Sequence, residues 1–312
     1  MPVEFGLQLS AFPPEAEDDG DVLNFYHRMV DALSPEFTTL WISDHLQFGD
    51  SPVLEGWTRL TYLAAMFPHL KVGHLVLSQS FRNPALLAKM GATLQHLSGG
   101  RFILGIGAGW HEEEYRAYGY DYPSGGTRVA QLAEAIQIIR ALWTESPATF
   151  HGEHYTIEEA YCEPRPNPVP PILIGTKGPK ALRVAARLAD GWSWDAPMAS
   201  YGRVYPELLK ACAEVGRDPS SVWLTAGADV NFPDDPADFV AEYPQEADSD
   251  FPIRPLGPTP ADAVEQLRPL VEMGVTHVMV YPSTLRTLER FSAEVAPVVA
   301  GLEPRTGREG SI

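Results

Sequence analysis

The chain has 312 residues, of which 45% are hydrophobic, and a formal net charge of −18. That content suffices for one large core or two small ones, and the acidic balance excludes a basic face for nucleic acid, which needs clustered Lys and Arg. No apolar run reaches the roughly 18 residues of a membrane span, Met1–Ser10 reads as a strand rather than a signal peptide, and Cys162 and Cys212 stand outside any paired spacing, which fits a reduced cytoplasmic protein.

Apolar, β-rich runs alternate with helical patterns along the chain. Strands are expected at Glu4–Leu9, Thr38–Ile42, Lys71–Leu77, Arg101–Ile106, Pro171–Ile174, Gly191–Trp194, Val222–Val230 and Thr276–Tyr281. Asn83-Pro84 opens a helix with a cap residue and a proline at its first position; Leu87, Met90, Leu94 and Leu97 form its apolar stripe, and Gly99-Gly100 stops it. A second helix runs from about Arg128 to Trp143, with Val129, Leu132, Ala133, Ile136, Ile139 and Trp143 on one face. A third, Pro179 to Ala189, packs Leu182, Ala185, Ala186 and Ala189, and Thr259-Pro260-Ala261-Asp262 opens a fourth with a capping-box pattern.

Continuous apolar strands, each followed by a helix, imply parallel β-structure buried on both faces. Eight of them predict an α/β chain of the (β/α)8 TIM-barrel class, one domain over residues 1–312. Insertions are expected after strand 4 (Tyr115–Thr127), before strand 5 (Thr144–Pro170) and after strand 7 (Phe232–Pro258). An open doubly wound sheet is the alternative, but Gly105-Ile-Gly-Ala-Gly109 is not G-x-G-x-x-G and no acid follows at the required distance. From Asp229 to Asp250 there are eight acids and no Lys or Arg, read as a solvated loop or as a lid over a pocket.

Active sites of such barrels lie at the C-terminal strand ends. The second strand ends in Asp44-His45, either an acid–base pair, since histidine titrates near neutrality, or a structural hydrogen-bonded pair. The fourth ends in Gly107-Ala108-Gly109, bare backbone for a flat ligand, followed at once by Trp110 and His111. His111 precedes Glu112, Glu113 and Glu114 without completing H-E-x-x-H, so these acids read as a solvated helix start, and no metal site is expected. Gly175-Thr176-Lys177-Gly178, ahead of a helix N-terminus, suits a phosphate. Trp110, Trp192 and Trp194 offer flat faces to a pocket or packing to a core.

Leu40-Trp-Ile-Ser-Asp-His45, Arg82-Asn-Pro-Ala85, the block from Leu97 to Tyr115, Leu173-Ile-Gly175 and Ala189-Asp-Gly-Trp192 together resemble the bacterial luciferase-like monooxygenases, in particular their branch that uses the deazaflavin coenzyme F420. The resemblance implies a TIM-type barrel, usually a homodimer, that exchanges a hydride between F420 and a small organic substrate. Asp44 and His45 then lie beside the reactive ring edge as catalytic residues. A non-proline cis peptide near Leu75-Val76 backs the ring, Gly107, Ala108 and Gly109 face it, and Gly175, Thr176, Lys177 and Gly178 hold the phosphate. Trp110, His111 and Trp194 are the expected substrate-pocket residues. Sugar-phosphate dehydrogenases of this branch carry a glutamate proton donor directly after the Gly-x-Gly turn and an aromatic four residues beyond the histidine. Here those positions are Trp110 and Gly49, which points away from a sugar phosphate and leaves His111, Glu112 or Glu113 as substitutes. Two alternatives stand: an FMN-dependent monooxygenase fed by a flavin reductase, and a non-catalytic flavin-binding protein.

Overall fold

The computed structural model describes residues 2–10, 21–196, 198–241 and 254–302. Its strands are β1 (Glu4–Leu9), β2 (Phe37–Ile42), β3 (Lys71–His74), β4 (Leu77–Ser78), β5 (Phe102–Gly107), β6 (Ala148–His151), β7 (Thr156–Ala160), β8 (Ile172–Gly175), β9 (Gly191–Asp195), β10 (Trp223–Val230) and β11 (His277–Pro282). The helices include α1 (Val22–Asp31), α2 (Gly56–Met66), α3 (Pro84–Leu97), α4 (Glu112–Ala117), α5 (Gly125–Thr144), α6 (Pro179–Leu188), α7 (Met198–Val215), α8 (Pro260–Glu272), α9 (Leu285–Arg290) and α10 (Ala296–Ala300).

The main sheet runs β3-β2-β1-β11-β10-β9-β8-β5-β4, and a β3–β5 pairing returns the ladder to its start. The registered pairs of this sheet are parallel, among them Phe5 opposite Val278 and Leu104 opposite Ile172. Eight strand positions, with β3 and β4 sharing one, make the (β/α)8 barrel. Strands buried on both faces explain the near-continuous apolar runs; every residue of Phe102–Gly107 is buried.

Two compact units share the chain, with boundaries inside β2 and β9: residues 1–39, 193–207 and 223–312 form one, residues 40–192 and 208–222 the other. In the first, Phe5 packs edge-on against Phe291 at 5.3 Å and tilted against Phe37 at 5.5 Å. In the second, α3 and α5 meet where Gly91 lies flat against Trp143, whose indole N–H donates to the Ala88 carbonyl at 2.9 Å.

Two expectations are corrected. Lys71–Leu77 is not one strand: a cis Leu75–Val76 peptide separates β3 from β4. Leu97, placed on the apolar stripe of α3, is 77% exposed, because the buried face follows Leu87, Ala88, Gly91, Ala92, Leu94 and Gln95, and a residue three past Leu94 at the last helical turn rotates off it. The insertion expected before strand 5, Thr144–Pro170, holds the antiparallel β6–β7 hairpin. Of the acidic run, residues 242–250 lie outside the described residues, and the lid reading lies there with them. No helix among the described residues is long and apolar enough to cross a membrane.

Candidate active site

Just beyond β2, Asp44 has a fully buried carboxylate. A carboxylate in the interior is tolerated only when its charge is matched and its lone pairs are used. Arg82, delivered by the turn between β4 and α3, meets it with two parallel bonds, Nη1 to Oδ2 at 2.8 Å and Nη2 to Oδ1 at 3.0 Å. The Ser78 amide donates to Oδ2 at 3.0 Å. Glu55, the cap of α2, takes the other side of the Arg82 guanidinium while accepting the Trp57 and Thr58 amides at 2.9 and 2.7 Å. Burial pushes the Glu55 carboxyl up, but those amides and Arg82 outweigh it and hold its pKa down at about 2. Burial opposes the charge on Arg82, yet Asp44 and Glu55 together raise its pKa above the usual guanidinium value.

Asp44 therefore works with Arg82, and His45 has a different partner. The His45 Nδ1 lies 3.1 Å from Oε1 of Glu114, whose Oε2 accepts the Leu46 amide at 2.7 Å. The His45 side chain is 14% exposed and that of Glu114 only 3%. Around the imidazole stand Phe48 at 4.4 Å, Trp110 at 5.7 Å and His111 at 6.1 Å between ring centroids. Phe48, one residue before Gly49, is the aromatic that packs nearest to His45 among these three rings. Trp110 is 58% exposed, whereas His111 is buried.

The glycines at the C-terminal ends of β5 and β8, and Gly109 just past β5, have protein neighbours that account for them. A Cβ on Gly107 would lie 2.8 Å from Cγ2 of Val76, and one on Gly175 2.9 Å from Cγ1 of the same residue. Val76, on the C-terminal side of the cis bond, is clamped between the two bare backbones. Gly109, with φ +76°, admits the Tyr115 hydroxyl, which pairs with the Ser78 hydroxyl at 2.6 Å. Leu75 and Ala108 sit in the same half-buried zone.

Gly178 caps α6 with no side-chain hydrogen bond to the first turn, and a Cβ on it would meet nothing within 4 Å. Lys177 beside it is exposed, and the Thr176 carbonyl accepts the Trp192 indole at 2.8 Å. A bare cap, open ground and a lysine are what a cofactor phosphate requires, so the residues fit the phosphorylated tail of a flavin or deazaflavin. Trp194 falls in the other unit, its indole donating to Ser200 at 3.0 Å. No metal-holding cluster occurs among the described residues.

Two further ionisable groups lie in the sheet, His74 buried and Asp229 half-buried. His74 on β3 stacks on Trp57 at 5.5 Å, and burial lowers its pKa to about 4. Asp229, near the C-terminal end of β10 and in register with Tyr281, has its pKa raised to about 6 by burial.

Sequence reasoning missed Glu55, Phe48 and Glu114, and saw Arg82 only as part of a motif. The readable signal for Glu114 was helical phase: at about 100° per residue, three consecutive acids cannot share a face, and only Glu112 and Glu113 face solvent.

The luciferase-like monooxygenase family model matches residues 28–266. The chain belongs to the luciferase-like monooxygenase family. Within it, the F420-dependent glucose-6-phosphate dehydrogenase of Kineococcus radiotolerans is 29% identical over 339 aligned positions, covering 96% of this chain and 98% of that protein. The enzyme of the same name from Intrasporangium calvum is 30% identical, covering 85% and 91%. Among solved structures, an F420-dependent secondary alcohol dehydrogenase bound to an F420–acetone adduct superposes with a TM-score of 0.77 at 19% identity, over 96% of this chain and 99% of that one. A long-chain alkane monooxygenase reaches the same TM-score of 0.77 at 14% identity, over 100% and 94%, so this likeness speaks for the fold alone.

Proposed function

We propose that this protein is an oxidoreductase that uses coenzyme F420 to oxidise or reduce a small organic substrate. The observation that carries the reading is identity to F420-dependent dehydrogenases over nearly the whole chain. When bound, F420 supplies a ring carbon that gives or accepts a hydride. The chain's residues do the rest. Amides of the first turn of α6, with Lys177, would hold the phosphate. Leu75 and Val76 would back the ring, with Val76 held between Gly107 and Gly175. Asp44, through Arg82 and Ser78, keeps the loop after β2 in place. His45 Nε2 holds or moves the substrate proton while Nδ1 is tied to Glu114. Trp110 and His111 shape the substrate side.

The test is titration of the purified protein with F420 and FMN, followed by a screen of alcohols, carbonyl compounds and sugar phosphates for a change in F420 absorbance. Tight F420 binding and oxygen-independent turnover support the proposal; tight FMN binding without F420 binding, or oxygen consumption with product formation, reverses it in favour of the monooxygenase. Binding with no turnover supports the non-catalytic alternative. A second, narrower reading takes glucose 6-phosphate as the substrate, favoured by the names of both relatives. Trp110 at the position of the branch's glutamate stands against it, and reduction of F420 by glucose 6-phosphate decides it.

A further inference from the structure

Glu114 differs from the two acids before it in more than burial. Its two carboxylate oxygens are both committed: Oε2 to the Leu46 amide at 2.7 Å, Oε1 to His45 Nδ1 at 3.1 Å. A backbone amide only donates, so Oε2 must accept. A carboxylate has acceptors and no donor, so the hydrogen in the second bond belongs to Nδ1. A neutral imidazole carries one N–H, and its other nitrogen then bears a lone pair. Phe48, Trp110 and His111 pack around the ring and restrict its rotation.

We propose that Glu114 is a positioning residue that fixes neutral His45 as the Nδ1–H tautomer and thereby assigns the proton-transferring role to Nε2. The role of Nε2 rests on the reading of His45 as the proton-handling group; the tautomer stands on the hydrogen bonds alone. Glutamine at this position separates the two. Its side chain has one acceptor and one donor end. The Leu46 amide claims the carbonyl, because a backbone donor cannot change its role. The NH2 group then faces Nδ1, which must accept, and the neutral ring inverts to Nε2–H.

The decisive measurement is 15N NMR of the apoprotein labelled at histidine, above the titration range of the imidazole, with the His45 signals assigned by their loss in His45→Asn. Wild type is expected to show a protonated Nδ1 and an unprotonated Nε2, and Glu114→Gln the reverse. A wild-type His45 protonated at Nε2 overturns the proposal without any variant, as does a Glu114→Gln protein that folds and keeps the wild-type pattern. If Glu114→Gln does not fold, the wild-type spectrum still decides. Kinetics add an independent readout: Glu114→Gln is expected to lower kcat about 100-fold, the scale of lost acid–base catalysis, while F420 affinity by fluorescence titration stays within about two-fold. Equal kcat in both proteins overturns the assignment of Nε2. Absence of any F420 turnover in wild type defeats the functional reading but leaves the tautomer result intact, so the two failures are distinguishable.

Discussion

Replacing Arg82 by leucine isolates the ion pair behind the loop that carries His45. The Asp44 side chain is fully buried and that of Arg82 is 10% exposed. In wild type Asp44 accepts three hydrogen bonds, two from Arg82 and one from the Ser78 amide. Arg82→Leu leaves a buried carboxylate with one neutral donor, and breaking such a pair from one side costs about 3–5 kcal/mol. The loss at Glu55 is smaller, because its side chain is 40% exposed and keeps the Trp57 and Thr58 amides. An unfolding entropy of about 2.1 cal/mol/K per residue over 312 residues gives about 0.65 kcal/mol/K, so Tm should fall by about 5–8 °C. Differential scanning calorimetry near pH 7 measures it. The companion variant Arg82→Leu/Asp44→Leu removes both charges and should recover more than half of the loss, since two apolar residues substitute better for a buried pair than one unpaired ion does. A fall of less than about 2 °C in the single variant, or a double variant as unstable as the sum of the singles, refutes the reasoning.

His45→Ala should leave F420 binding near normal and cut turnover about 100-fold or more; unchanged turnover removes His45 from the chemistry. Gly105→Ala places a methyl group into the His74 carbonyl oxygen, a backbone atom with no room to retreat, and should cost about 2–3 kcal/mol in urea unfolding; a neutral result would mean the two strands separate freely there. His74 titrates near 4 in the fold against 6.5 ordinarily, so the unfolded chain binds more protons between those values, and stability should fall by up to about 3 kcal/mol as pH drops through that window. His74→Phe should flatten this stretch of the pH–stability curve, and an unaltered slope would assign it to other groups. Asp229 has the opposite sign: its pKa of about 6 in the fold against 3.8 ordinarily means the folded chain holds the extra proton, and stability falls as pH rises through that window. Asp229→Asn should therefore gain up to about 3 kcal/mol near pH 7 and nothing near pH 3.5; equal gains at both pH values would point to packing instead.

Most of the barrel was legible because its strands are buried on both faces and read as apolar runs between helix caps; Asn83 and Thr259 cap α3 and α8 where expected. What the pattern hid was anything that breaks a period. The interruption at Leu75-Val76 changes no hydrophobicity, so β3 and β4 looked like one strand; the cis peptide there was expected from the family resemblance alone, and it is present. Helix α7 contains Gly202 and Pro206, which read as breakers. In the site, Asp44-His45 was visible as a motif, but not its division of labour. The partners of Asp44 and His45 lie 38 and 69 residues further along the chain, and only the fold brings them close.

Val76 gives three segments a shared fate. Its two methyl groups occupy the space that Cβ atoms on Gly107 and Gly175 would need, so β5, β8 and the turn after β3 interlock at one side chain. A larger residue at either glycine demands a smaller one at 76, and a smaller residue at 76 frees both glycines to vary. Directed evolution of this region will succeed only if the three codons are randomised jointly, because stepwise libraries pass through combinations that leave a void or a collision.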